Sequence, residues 1–126
     1  SELTIITGTE EEKKIFARQW GEAIAPLAGL SINTDTLSPH SFLPIVRTVD
    51  QTLQTLFALP VPTAFALSFA KELELIRLQR NIFAAIAGSE SDPFRALIAL
   101  QIWDISREEF QNHHRAFIQM LRPYTP

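Results

Sequence analysis

The chain has 126 residues, 46% of them hydrophobic and 20% charged, with 11 basic against 14 acidic side chains and no cysteine. By area scaling, a folded monomer of this mass leaves about 6,800 Å² exposed out of roughly 20,600 Å² unfolded, enough burial for one self-sufficient domain. Absence of cysteine excludes disulfides, thiol nucleophiles and thiolate-held zinc or iron–sulfur groups, and a net charge of −3 disfavours a surface built to grip nucleic-acid phosphates.

The stop and start signals, taken in chain order, predict an all-α single domain: a five-helix bundle preceded by a short extended arm over residues 1–8. Leu3 to Ile6 are apolar and β-branched, closed by Thr7 and Gly8, and suit a strand or an arm lying on the core. Thr9 ahead of Glu10, Glu11 and Glu12 offers a hydroxyl cap and three carboxylates to a helix start, giving a first helix over about 10–27 with Phe16, Trp20, Ala23, Ile24 and Leu27 on one face. Pro26 and Gly29 end it, and Leu30 to Leu37 reads as linker. Ser38-Pro39 starts a second helix, about 39–59, with Pro44 near the edge of the tolerated zone. Its inner face is Phe42, Ile45, Val46, Val49, Leu53, Leu56 and Phe57, and Pro60-Val61-Pro62 turns the chain tightly into a third helix over 63–87.

That third helix is apolar over several faces and is expected at the centre of the bundle. Gly88 closes it. Asp92-Pro93 repeats the cap-plus-proline start, and Phe94, Leu97, Ile98, Gln101, Ile102 and Ile105 follow at helical spacing as the inner face of a helix over 93–104, with Leu100 and Trp103 emerging on the other side. Ser106-Arg107-Glu108-Glu109 reads as a capping box opening a last helix over 107–121, whose inner face is Phe110, His114, Phe117, Ile118 and Leu121.

Chemistry-bearing residues are sparse. Four glycines allow no phosphate-cradling loop, and no serine sits in a glycine-framed elbow. Glu10, Glu11 and Glu12 point in three directions on a helix and cannot converge on one ion. His113 and His114 are a metal or general-base candidate, but only Glu109 stands one turn away as a partner, and Glu109 with His113 is as well explained as a surface pair. No metal and no cofactor is therefore expected. On the third helix Ser68, Glu72 and Gln79 share an arc with Phe65, Leu75, Ile76, Ile82 and Phe83. Polar groups there need partners inside the fold, for which Arg47, Arg77 and Arg95 are the candidates, or else face a pocket lined by Phe65, Phe69, Glu72, Ile76 and Gln79, or face another molecule.

Arg107 followed, after gaps of five and six residues, by His113 and His114 resembles the arginine-to-histidine signature of the all-helical HEPN ribonucleases. Arg80-Asn81 resembles its Arg-Asn form, with Ala85 where the histidine would stand, so a proton acceptor is missing there. The resemblance implies metal-independent RNA cleavage through Arg107 and the histidines.

Three functional classes remain. Five short helices with this much apolar surface, including Leu100 and Trp103 off the main stripe, favour a non-enzymatic interaction module: an adaptor, regulator or complex subunit with a protein partner or a homodimer face. A small molecule or substrate held in the bundle by Glu72 and Gln79, or by the His113 and His114 pair, is the second class, and a HEPN-like ribonuclease or a degenerate relative of one is the third. DNA binding is disfavoured because Arg77 and Arg80 share their helix with Glu72 and Glu74. No apolar run approaches the roughly 18 residues of a membrane span, and no basic-then-apolar leader opens the chain, so a soluble cytoplasmic protein is expected.

Overall fold

The computed structural model describes residues 3–30 and 38–125. The linker expected over Leu30 to Leu37 falls, past Leu30, outside the described residues, as do the first two residues of the arm. The described chain is all-α apart from one minimal pair of strands, β1 (Ile5–Ile6) and β2 (Val61–Pro62). Its helices are α1 (Glu10–Ala28), α2 (Phe42–Phe57), α3 (Ala66–Ala87) and α4 (Pro93–Leu121).

The extended arm is tied down. β1 runs parallel to β2, with Ile5 level with Val61 and Ile6 with Pro62, and the Val61 amide donates to the Thr4 carbonyl at 2.8 Å. The Thr63 hydroxyl donates to the Ile6 carbonyl at 2.9 Å, which continues the pairing where Pro62 has no amide to give. Gly8 then turns the chain at φ 85°, and a Cβ there would stand 2.6 Å from the Pro62 Cβ, so both backbone conformation and close approach require glycine.

Thr9 and Glu12 form the reciprocal capping box at the start of α1: the Glu12 amide donates to Thr9 Oγ1 at 3.1 Å and the Thr9 amide to Glu12 Oε1 at 3.0 Å. Pro26 does not stop the helix, which continues to Ala28. Over residues 39–41 the chain makes a single 3₁₀ turn from Pro39, so that α2 proper begins at Phe42 and Pro44 falls in its first turn, where a missing amide is harmless. A similar 3₁₀ turn, Thr63–Phe65, precedes α3.

The principal correction concerns the helix count. Among the described residues there are four α-helices, not five: the stretches expected over 93–104 and 107–121 are one helix of 29 residues. Asp92 caps it, accepting from the Arg95 amide at 3.1 Å, with Pro93 at its first position. Ser106 carries a start signal but nothing stops the chain before it, since no glycine or proline occurs between Phe94 and Leu121. Its side chain is buried and meets Gln79 of α3 instead of capping.

Because α4 is unbroken, it has one inner face. Sixteen residues are about 4.4 turns, so Phe94 and Phe110 stand on opposite sides of it. The inward side is that of Phe110, Phe117 and Leu121, extended backwards by Ser106, Trp103, Ala99 and Ala96. The stripe expected to face the core, Phe94, Leu97, Ile98, Gln101, Ile102 and Ile105, faces outwards, and Trp103 packs inwards.

The core lies around α3, which has Phe65 just ahead of it and buries Phe69, Glu72, Leu73, Leu75, Ile76, Ile82, Phe83, Ala85 and Ile86. Two aromatic groups hold its ends. Phe16 of α1 meets Phe65 and Phe69 at centroid separations of 5.7 and 5.1 Å, and Phe117 of α4 completes the group beside Phe69 and Trp20. Near the other end Phe42 of α2, Phe83 of α3 and Trp103 of α4 lie 5.8 to 6.2 Å apart.

Candidate functional site

Glu72 sits in the middle of α3, fully buried, and its carboxylate is shared by two imidazoles of α4. His114 Nδ1 lies 2.8 Å from Oε2 and His113 Nδ1 lies 3.3 Å from Oε1. Consecutive helix residues diverge by about 100°, so two adjacent histidines reach one carboxylate only if it sits between their directions, which is where α3 presents it. Aromatic rings wall the group. Phe110 stacks on His114 at 5.1 Å, Trp20 lies 5.5 Å from it, and Phe117 lies 6.4 Å from His113. A carboxylate that only accepts suits imidazoles that present their protons on Nδ1.

The arginines expected to serve Glu72 are elsewhere: Arg77 lies over the Phe57 ring at 5.2 Å, and Arg47 and Arg95 are exposed. The surface pairing of Glu109 with His113 is not present either, Glu109 meeting Lys71 at 3.6 Å. One turn along α3 from Ile76, Gln79 donates to the Ser106 hydroxyl, so with the Lys71–Glu109 pair three polar ties join α3 to α4. A further polar contact joins α2 to α3. Arg80 grips Asp50 with Nε at 2.8 Å from Oδ1 and Nη2 at 3.2 Å from Oδ2. The hydrogen bond to Asp50 holds the Arg80 guanidinium above its ordinary pKa, with partial burial acting the other way.

The nine candidate residues therefore separate. Glu72, His113 and His114 form one group, the carboxylate buried and the two imidazoles about a quarter exposed. Phe65 and Phe69 are core, ringed by Phe16 and Phe117. Ile76, Gln79 and Trp103 line a cleft of about 310 Å³ between α1, α2, α3 and α4, whose other walls include Val49, Phe83 and Phe110, with Arg107 and Gln111 as further polar members. Leu100 is half exposed on the flank of α4, away from the rest. The expected pocket of Phe65, Phe69, Glu72, Ile76 and Gln79 does not form as one space, because the first three are sealed by neighbouring rings and helices. Arg107 pairs with Asp104 at 3.2 Å, while the imidazole Nδ1 atoms are occupied by Glu72. Among the described residues no group of three or more histidine, cysteine or acidic side chains is arranged to hold a metal ion, and no helix is long and apolar enough to cross a membrane.

What the sequence pattern assigns to the core stands open on the surface. Phe94 is 79% exposed, Ile105 71%, Ile98 60% and Leu97 54%, with Leu100 and Ile102 also open. Six side chains of roughly 200 Å² each, open to these extents, present about 600 to 700 Å², at or above the largest apolar patch of a typical monomer. The patch stops abruptly: past Ile105 the same side of α4 carries Glu108, Glu109, Asn112, Arg115 and Gln119. Continuity of the helix was the signal that would have found it, since Ala96, Trp103, Phe110 and Phe117 recur every seven residues through the supposed break.

Comparison with protein-family models, curated proteins and solved structures found no match to this chain in any of the three.

Proposed function

We propose that this protein is a non-enzymatic helical interaction module, an adaptor, regulator or complex subunit, working through the outer face of the first half of α4. The observation that carries this reading is the open stripe of Phe94, Leu97, Ile98, Ile102 and Ile105 on a helix whose opposite side is already packed. A helix face with apolar residues at these spacings is the form in which helices dock into grooves or onto each other. The alternative of chemistry at Glu72 has less to support it, because both carboxylate oxygens are committed to imidazoles and the group is walled by Trp20, Phe110 and Phe117. Such a group serves as a tie that sets the register of α3 against α4.

The test is dye binding and association of the wild type against Ile98→Lys with Ile105→Lys. Wild type is expected either to associate or to bind anilinonaphthalene sulfonate, and the double variant to lose that property while unfolding at an unchanged temperature. A wild type that stays monomeric and ignores the dye would falsify the reading.

The apolar cleft supports a second reading, binding of a small apolar molecule. Its volume of about 310 Å³ is at the lower limit for ligand sites, and Gln79, Arg107 and Gln111 stand as polar groups at an otherwise greasy lining. Medium-chain fatty acids are suitable probes. Stabilisation of the wild type by them, lost in Gln111→Leu, supports this reading, and no thermal shift with any of them removes it.

A further inference from the structure

Resting on the reading of the α4 stripe as an interface, we propose that its occupant is a second copy of this chain, packed α4 against α4 in antiparallel sense. Area is the first reason. A stable interface of standard size takes about 800 Å² from each partner, and the stripe alone offers roughly 600 to 700 Å², so a self-complementary contact needs only its rim to complete it.

Charge gives the second reason and the direction. On the outward side the stripe is bordered by Arg95 at its N-terminal end and by Asp104, Glu108 and Glu109 at its C-terminal end. With the two-fold axis between Gln101 and Ile102, Ile98 of each copy is level with Ile105 of the other, and Arg95 comes within one residue of level with Glu109 on the same flank. Each unlike-charge contact is then made twice. A parallel pair would set basic end against basic end and acidic end against acidic end, and would align the helix dipoles. Gln101, the one polar member of the stripe, falls at the axis, where its amide can meet its own symmetry mate. The sharp change from apolar to charged residues after Ile105 sets where the contact ends.

The chain has no cysteine, so single cysteines introduced into it report geometry without interference. Sedimentation of the full chain at about 100 µM, above the micromolar Kd of the weaker interfaces of this size, is expected to give twice the 14.2 kDa chain mass. Ile98→Lys with Ile105→Lys is expected to give a monomer with unchanged helicity. Under mild oxidation Gln101→Cys should cross-link in high yield. Arg95→Cys should not, because antiparallel packing holds its two copies roughly 20 Å apart along the axis.

A wild-type monomer at that concentration overturns the inference. If that monomer still binds anilinonaphthalene sulfonate and the double variant does not, the interface reading survives with another partner, whereas loss of both signals removes the two together. A dimer that persists in the double variant, or efficient cross-linking of Arg95→Cys, also overturns the proposed packing.

Discussion

The two halves of α4 are built on opposite plans. From Ser106 to Leu121 the largest residues point inwards: Phe117 and Leu121 are 1% exposed, although Ile118, expected on the inner face, and Met120 are open, and the outer side is charged. From Pro93 to Ile105 the large residues point outwards, and what packs inwards is mostly small, Ala96 and Ala99, with Trp103 as the exception. A single rigid helix cannot turn both sets of apolar residues to the core. The second half wins because Phe117 joins the aromatic group of Trp20 and Phe69, and because the two imidazoles reach Glu72. The first half follows in phase, and its alanines let α4 lie close to the end of α3. Burial in this protein is thus decided by the better-anchored end of a continuous element, and the other end is left with an open apolar surface.

The largest effect is expected where the anchor is removed. Phe117→Ala deletes a ring from a packed group and is expected to destabilise by about 3 to 5 kcal/mol in chemical denaturation. Nearly as severe is Arg107→Pro, which tests the continuity of α4 itself. If a helix began at residue 107, a proline directly after Ser106 would be a favourable start and the substitution would be almost silent. In an unbroken helix it removes a hydrogen bond and clashes with the preceding turn, for a loss of about 3 kcal/mol or more. Retained stability in that variant would restore the two-helix description and detach the phases of the two halves.

Much of the architecture was legible in residue order: the Thr9 cap, the inner face of α2, the central position of α3 and the Asp92-Pro93 start all have local causes. The register of α4 was not, for one reason. Ser106-Arg107-Glu108-Glu109 has the form of a capping box, but a cap is a start only where the preceding residues stop, and Ile102 to Ile105 are good helix with no glycine or proline. Accepting a break there lets each segment choose its own inner face, and the first chooses its greasiest side. The partners of Glu72 were hidden for a different reason. They lie 41 and 42 residues away, and nothing local to α3 or to the histidine pair names the other; only the rule that a buried carboxylate must be satisfied points to a partner at all.

Glu72→Gln sharpens the comparison at the tie between α3 and the anchored half. The amide offers one acceptor where the carboxylate offers two, and its NH₂ faces a second imidazole N–H unless that ring changes tautomer. A loss of about 1 to 3 kcal/mol is expected. Nitrogen-15 chemical shifts of the imidazoles should show at least one of His113 and His114 moving its proton from Nδ1 to Nε2. Unchanged tautomers together with unchanged stability would mean that the carboxylate does not hold the two rings.

The smallest effect belongs to the outward half, and its smallness is the point. Ile105→Ser removes a large apolar side chain, yet at concentrations low enough to keep the chain monomeric the expected change is within about 0.5 kcal/mol, because the residue is already open to water. The same exchange at Phe117 or Leu121 would unfold much of the molecule. At high concentration the two chains should diverge. The wild-type unfolding midpoint rises with protein concentration if α4 is covered by a second copy, and the Ile105→Ser midpoint rises less. A large destabilisation of the dilute monomer by this one substitution would place Ile105 in the core after all and reverse the assignment of the two faces.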